Sequence, residues 1–322
     1  MQTADMQVNQ EIPDVQAVSE LPKELFVPID RAEQQMEDFV RPSTSYWHDV
    51  WQRFRKDKLA LIGMIFILLM VLLAIFGPMV SPYSYDGMDM LGGNQKPNAV
   101  HWFGTDKFGR DIFTRVLYGA RISLTVGVVA AAINLIIGVI YGSVSGYFGG
   151  RVDMIMMRIV DILIGLPSLL YIVLMMLVLG SNIGSVILAL CITSWIGTAR
   201  VVRGQVLTLK HAEYVLASKL AGANNRRILF THLLPNSMGP IIVSTAFLVP
   251  SAIFSEAFLS FLGIGINVPM ASWGTLANEA IPMLASQPYQ LFFPVLAICL
   301  TMFSLNFIGD GLRDSLDPRL KK

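Results

Sequence analysis

Six stretches of this chain are long, apolar and nearly free of charge, and they set the expected architecture. Leu59–Val80 (LALIGMIFILLMVLLAIFGPMV) holds no Asp, Glu, Lys or Arg in twenty-two positions, and about 20 apolar residues cross a hydrocarbon core as helix. Ile122–Phe148 is a second charge-free run. Ile162–Ala199 is long enough for two helices, turned at Gly180-Ser181-Asn182-Ile183-Gly184. Gly239–Phe261 carries one acid, Glu256. Tyr289–Gly309 is approached through Pro282 and Pro288 and carries Pro294 in its first turns. The spans expected are therefore about 59–80, 122–148, 162–179, 183–199, 239–261 and 289–309. Backbone amides cannot stay unpaired in lipid, so these segments must be helices whatever their Val and Ile content. The pattern predicts an all-α polytopic membrane protein with six transmembrane helices and both termini on one side.

Composition agrees. The 322 residues are 54% hydrophobic and 15% charged, with a mean hydropathy of +0.57, whereas a soluble domain carries about 25% charged residues. This excludes a disordered, collagenous or disulfide-scaffold chain. The net charge of +1 conceals two opposed parts: residues 1–50 hold three basic and ten acidic side chains, and residues 51–322 hold twenty-one and thirteen. Loops rich in Lys and Arg stay cytoplasmic. Sixteen of these cations flank one side (Arg53 to Lys58, Arg151, Arg158, Arg200 to Arg227, Arg313 to Lys322), and five flank the other (Lys96, Lys107, Arg110, Arg115, Arg121). Both termini are therefore expected in the cytoplasm. The acidic tail 1–50 has no apolar run, so no signal peptide of the usual kind is read there, and a disordered cytoplasmic extension is expected. The surrounding partner is a lipid bilayer; no nucleic acid is expected.

Two extracytoplasmic loops follow, 81–121 and 263–288. In the first, His101-Trp102-Phe103-Gly104-Thr105-Asp106 reads as an aromatic anchor and turn, followed by an interfacial helix from Arg110 to Arg121 on which Asp111 and Arg115 can pair at i,i+4. The segment reads as a lid on the membrane surface. Trp273 in the second loop reads as an interface anchor. The cytoplasmic loop 200–235 is the most informative. Its core runs Glu213-Tyr214-Val215-Leu216-Ala217-Ser218-Lys219-Leu220-Ala221-Gly222-Ala223 and closes on Leu234-Pro235-Asn236. Small residues at 217, 218, 221 and 222 fall at helical spacing and leave one face shaved to the backbone. Pro235 is expected to stop the turn before the next span. Such a helix can dock into a soluble partner's groove, or it can pack on its own bundle; composition leaves both open.

At this loop the sequence resembles the EAA loop of ABC importer permeases, in which Glu-Ala-Ala is followed by three residues, Gly, nine residues and Ile-x-Leu-Pro. Leu216-Ala217-Ser218, Gly222 and His232-Leu233-Leu234-Pro235 stand at those positions, departing at Leu216, Ser218 and His232. HWFGTDKFGRDIFTRVLYGARISL, SGYFGGRVDMIMMRIVDI, SEAFLSFLGIG, ASWGT and NFIGDGLRDSLDPRLK extend the similarity from about Trp51 to the end. The chain looks like the C-type permease subunit of an oligopeptide or dipeptide importer. The resemblance implies a second homologous permease forming a heterodimer, two cytoplasmic ATPase subunits, an extracytoplasmic peptide-binding protein, and the plasma membrane of a bacterium. It also implies that the loop helix, through Glu213, Tyr214, Ala217, Ser218, Gly222, Ala223 and Pro235, couples ATPase closure to the spans. Relatives in this branch also carry dipeptides, metal chelates and cell-wall peptides. No Lys is preceded by Gly and followed by Ser or Thr, so no phosphate-binding loop is read, and ATP is expected to be used by the partner subunits with no cofactor on this chain.

Other classes find little support. A membrane enzyme needs a nucleophile and base or a metal set, yet the four histidines (His48, His101, His211, His232) are scattered outside the spans and no HExxH or GxSxG occurs. No catalytic or metal-ligating residue is assigned. An ion-coupled secondary transporter needs ionisable groups at mid-membrane, and only Glu256 is a candidate, read as a structural hydrogen-bonding group ahead of a pathway one. Arg158 and Asp161 are spaced for an i,i+3 pair. Cys191 and Cys299 read as two buried thiols, and Asp310-Gly311-Leu312-Arg313-Asp314 as a helix end at the membrane surface.

Overall fold

A computed structural model describes residues 45–317. The chain divides into two units, Met1–His48 and Asp49–Lys322. The expected disorder of residues 1–50 falls almost wholly outside the described residues, although the described end of that segment is already helical. The elements are α1 (Tyr46–Phe54), α2 (Lys58–Val80), α3 (Ile112–Phe148), α4 (Gly150–Gly165), α5 (Ser168–Leu179), α6 (Ile183–Leu190), α7 (Trp195–Leu209), α8 (Glu213–Leu220), α9 (Met238–Ala246), α10 (Leu248–Phe261), α11 (Trp273–Ala280) and α12 (Tyr289–Leu316). Among the described residues there is no strand, only an isolated bridge between Thr105 and Asp111. Five helical stretches are long and apolar enough to span a bilayer: Lys58–Val80, Ile112–Phe148, Ile183–Leu209, Met238–Phe261 and Tyr289–Leu316. Counting α4 and α5 as one broken span makes six. The all-α polytopic fold expected from the hydrophobic pattern is therefore the one observed.

The boundaries differ from the expected windows, each for a local reason. The separate interfacial helix expected over 110–121 does not exist, because the helix containing the second window starts at Ile112. Its 37 residues extend about 55 Å at 1.5 Å per residue. Asp111 starts it as N-cap, its carboxylate accepting from the Thr114 amide at 2.8 Å. The window 162–179 is not one helix: α4 and α5 meet at an angle of 83°. Pro167 has no N–H to continue α4 and forces Leu166 into extended backbone (φ −97°, ψ 135°). The fourth window is interrupted between Leu190 and Trp195, and α7 then runs on to Leu209. The sixth helix likewise continues past 309 to Leu316.

The long helix α3 is the spine of the bundle. Gly138, Gly142 and Gly146, one turn apart, form a stripe against which α7 lies. A Cβ on Gly142 would sit 2.8 Å from Val202 Cβ and 3.0 Å from the Arg203 amide, and one on Gly138 would sit 2.7 Å from Thr198 Cβ. Small residues at four-residue spacing let two helix backbones approach closely in a membrane, where van der Waals contact replaces the hydrophobic drive between helices. The α2–α12 contact uses the same device, with Gly63 against the Ser304 backbone and Gly311 against Ala60. Away from these seams α2 exposes Leu59, Ile62, Ile65, Leu68 and Leu69, an apolar surface suited to lipid. Cys191 is buried as expected, but Cys299 is exposed, because it falls on the outer face of α12.

The two ends of the bundle carry different chemistry. At one end the loop 81–111 is tied to the start of α12; the Tyr289 hydroxyl donates to the Gln95 carbonyl at 2.8 Å and Gln290 Nε2 to Thr105 O at 3.1 Å. At the other end lie the α3–α4 junction and residues 203–236, where Lys210 Nζ donates to Gly146 O at 3.1 Å and the Tyr147 hydroxyl to Asn225 Oδ1 at 2.8 Å.

Candidate functional site

The loop 200–235 folds into the short helix α8 followed by a wider helical path. α8 holds eight residues, about 12 Å of helix, with Glu213 in its first turn and Lys219 in its last, signs that complement the helix dipole. Val215 is buried among Val202, Val206, Ile228, Leu233 and Ile241 and pins one face to the bundle. Ser218, on the same side, holds His232, with Oγ 3.2 Å from Nε2. The opposite side is open. Tyr214, Leu216 and Ala217 are exposed, and Leu220 is 91% exposed, an apolar edge beside a small-residue stripe at the end of the bundle that carries most of the Lys and Arg.

Gly222 ends this helix. Ala223 N–H donates to Ser218 O and Gly222 N–H to Lys219 O, both at 3.0 Å, the paired bonds of a Schellman cap, with Gly222 at φ +83° in the left-handed region where glycine carries no Cβ penalty. A Cβ added there would meet nothing within 4 Å. The residue thus serves the backbone turn and leaves open space above it. Asn224 then caps the next turn, its Oδ1 accepting from the Arg227 amide at 2.8 Å.

Pro235 does not stop the helix as expected. Backbone in helical conformation continues from Asn225–Arg227 through a wider π turn, Ile228–Leu233, and Leu234–Asn236 into α9. A wider turn N-terminal to proline accommodates the missing N–H and the ring. Of the sequence candidates, Glu213, Tyr214, Ala217 and Gly222 present one exposed surface. Ser218 and Ala223 are half-buried beneath it, and Pro235 is exposed farther along the helical path. Glu256 belongs elsewhere in the bundle.

Glu256 is 0% exposed. Ser123 Oγ of α3 donates to its Oε2 at 2.8 Å and Ser260 Oγ to its Oε1 at 2.9 Å. The same hydroxyls accept backbone amides from the loop beyond α10, Ile266 N–H on Ser260 at 3.1 Å and Trp273 N–H on Ser123 at 3.4 Å. The carboxyl therefore ties α10, α3 and the 262–273 segment together through two serines. Trp273 is not an interface anchor: it is fully buried, and its Nε1 donates to Val116 O at 3.0 Å.

A buried ion cluster at the same end joins residues far apart in the sequence. Arg110 and Arg115, each 1% exposed, share Asp106 and Glu279. Arg110 Nε lies 2.6 Å from Asp106 Oδ2 and Nη2 3.0 Å from Glu279 Oε1; Arg115 Nη1 lies 2.8 Å from Asp106 Oδ2 and 2.7 Å from Glu279 Oε2. Two cations and two carboxylates balance, the condition under which buried charge is tolerated. The expected Asp111–Arg115 pair is absent, because Asp111 is engaged by Thr114 and by His101 Nδ1 at 2.9 Å. Arg158 and Asp161 do not pair either; Asp161 meets Arg200 across to α7 at 3.2 Å.

Residues 134–322 match the family described as binding-protein-dependent transport system inner membrane component, and residues 45–97 match the N-terminal TM domain of oligopeptide transport permease C. The chain belongs to this permease family. Among its curated relatives, the oligopeptide transport system permease protein OppC of Bacillus subtilis is 52% identical over 302 residues, covering 94% of this chain and 99% of the relative. The dipeptide transport system permease protein DppC of the same organism is 51% identical, covering 94% and 95%. The glutathione transport system permease protein GsiD of Pectobacterium atrosepticum is 40% identical, covering 85% and 92%. The permease also shares its fold with a chain of the MetNI methionine ABC transporter in inward-facing conformations, at TM-score 0.51 and 15% identity over 63% of this chain and 96% of that one. The protein is thus a multi-pass membrane permease subunit of the ABC importer type.

Proposed function

We propose that this permease carries oligopeptides, delivered by an extracytoplasmic binding protein, across the plasma membrane of a bacterium into the cytoplasm, driven by ATP. The supporting observation is the 52% identity to an oligopeptide permease across nearly the full length of both chains. A second homologous permease completes the pathway as a heterodimer, and two cytoplasmic ATPase subunits bind and hydrolyse the nucleotide, this chain holding none. The distribution of Lys and Arg supports termini, α8 and the 200–235 loop on the cytoplasmic side, with 81–111 and 262–288 outside.

In this reading the exposed surface of α8, built by Glu213, Tyr214, Ala217 and Gly222 and backed by Ser218, Ala223 and the helical path through Pro235, seats in a groove of one ATPase subunit. Its rigid mounting on Val215 and on the α3–α4 junction supports transmission of a push to the spans. Such coupling requires only different contacts in the two nucleotide states, not a ligand site on this helix. Glu256 is a brace between α10, α3 and the outer loop. Dipeptides are the second reading, favoured by the near-equal identity to a dipeptide permease. Uptake competition in a strain lacking this gene and complemented with it separates the two: inhibition by peptides of four or more residues supports oligopeptides, and inhibition by dipeptides alone overturns that choice.

A further inference from the structure

The turn between α1 and α2 concentrates four cations, and the fold engages one of them. Arg53, Arg55, Lys56 and Lys58 stand within six positions. Arg53 Nη1 reaches the Asp317 carbonyl at 3.5 Å, whereas Arg55, Lys56 and Lys58 are exposed and make no ion pair among the described residues. The nearby Asp57 carboxylate is spent on capping α2, accepting from Leu59 N at 2.9 Å and Ala60 N at 3.2 Å. The position of this turn against a bilayer follows from its neighbours. The lipid-facing surface of α2 starts at Leu59, one residue beyond Lys58, so the three cations stand at the level where hydrocarbon gives way to headgroups.

The end of α1 folds back to that same level. The Phe54 ring is buried beside Gly311, whose added Cβ would lie 3.3 Å from Phe54 Cε2 and 3.3 Å from Asp57 Oδ2. Trp51 stacks on Phe54, with centroids 5.8 Å apart and planes at 11°, yet remains 48% exposed. An indole held open at the headgroup boundary, on an amphipathic helix with Val50 and Phe54 as its buried side, has the form of an interfacial anchor. Juxtamembrane clusters of Lys and Arg attract anionic lipids.

We propose that α1 and the 55–58 turn form a docking surface for anionic phospholipid headgroups, with Arg55, Lys56 and Lys58 binding the phosphates and Trp51 inserted beside them. The occupant follows from charge complementarity and from continuity with the lipid-facing surface of α2. The test uses the complete transporter, permease pair and ATPase subunits together, in nanodiscs of phosphatidylcholine with or without phosphatidylglycerol. Native mass spectrometry of the released complex is expected to show phosphatidylglycerol enriched over phosphatidylcholine, and Arg55→Gln with Lys56→Gln is expected to reduce that enrichment by about fivefold or more. Both side chains are exposed and unpaired, so the thermal unfolding midpoint stays unchanged. Backbone hydrogen exchange in residues 49–56 is expected to slow when phosphatidylglycerol is added and to be faster in Trp51→Ala. Equal lipid enrichment in the double variant and the parent would overturn the proposal. So would protection of 49–56 that depends on the ATPase subunits and not on the lipid, since the surface would then belong to a protein partner.

Discussion

Gly222 separates two demands that the sequence motif merges, a backbone conformation and an absence of bulk. At φ +83° an L-residue with a Cβ is disfavoured by roughly 1–2 kcal/mol, which corresponds to a shift of about 5–30-fold in the population of the capped turn. No other term enters in the isolated subunit, because the added Cβ meets no atom within 4 Å. Gly222→Ala therefore carries the full backbone cost and adds only a methyl group. Gly222→Asn carries less, since Asn visits the left-handed region more readily, but raises a side chain into the open space above the turn. Gly222→Glu combines the two. If a partner surface closes over this turn, peptide-stimulated ATP hydrolysis by the reconstituted complex falls in the order wild type, Ala, Asn, Glu, with all four subunits assembled alike. If Gly222 serves the backbone alone, Asn is nearer to wild type than Ala. That inverted order, or normal stimulation in Gly222→Glu, would refute close approach at α8.

The buried groups make sharper stability predictions. Glu256→Gln keeps an acceptor for one serine and is expected to cost about 1 kcal/mol while assembly and uptake persist, whereas Glu256→Leu strands the Ser123 and Ser260 hydroxyls at about 1–3 kcal/mol each; assembled Glu256→Gln complexes without uptake would place the acid in the pathway instead. Glu279→Gln leaves two buried guanidinium groups sharing one carboxylate and is expected to destabilise by about 3–5 kcal/mol, read as a lower unfolding temperature in detergent, with no change contradicting the cluster. Gly142→Leu is expected to separate α3 from α7 and cost at least the 1–3 kcal/mol of an overpacked core. A variant that purifies with wild-type thermal stability would refute the close helix contact.

The spans were legible because the bilayer imposes one rule on every residue, so a charge-free run of twenty or more is informative without any knowledge of its neighbours. Their ends were less so. Arg110 and Arg115 look like loop charges until Asp106 and the distant Glu279, 169 and 164 positions away, together neutralise them and allow the helix to start at Ile112. The 83° bend had a local signal in Leu166-Pro167, submerged in a longer apolar run. Trp273 read as an interface residue because its loop is rich in Gly, Pro and Ser, yet Gly119 and Gly274 leave space that admits the indole and its neighbours to the interior. The 200–235 loop was visible through its spacing. That spacing did not reveal that Gly222 is required by a Schellman cap, or that the chain passes Pro235 on a wider turn, since both depend on backbone geometry that residue identity only permits. The Gly138, Gly142 and Gly146 stripe stands at four-residue spacing inside an apolar run, whose composition masks it.

If this chain is one membrane half of an ATP-driven peptide importer, the permease placed with its partner permease and ATPase subunits in proteoliposomes should admit a labelled oligopeptide. Entry is expected only when ATP is present on the ATPase side and the binding protein with its peptide on the other. Entry driven by a proton or sodium gradient in vesicles free of ATP would contradict that role.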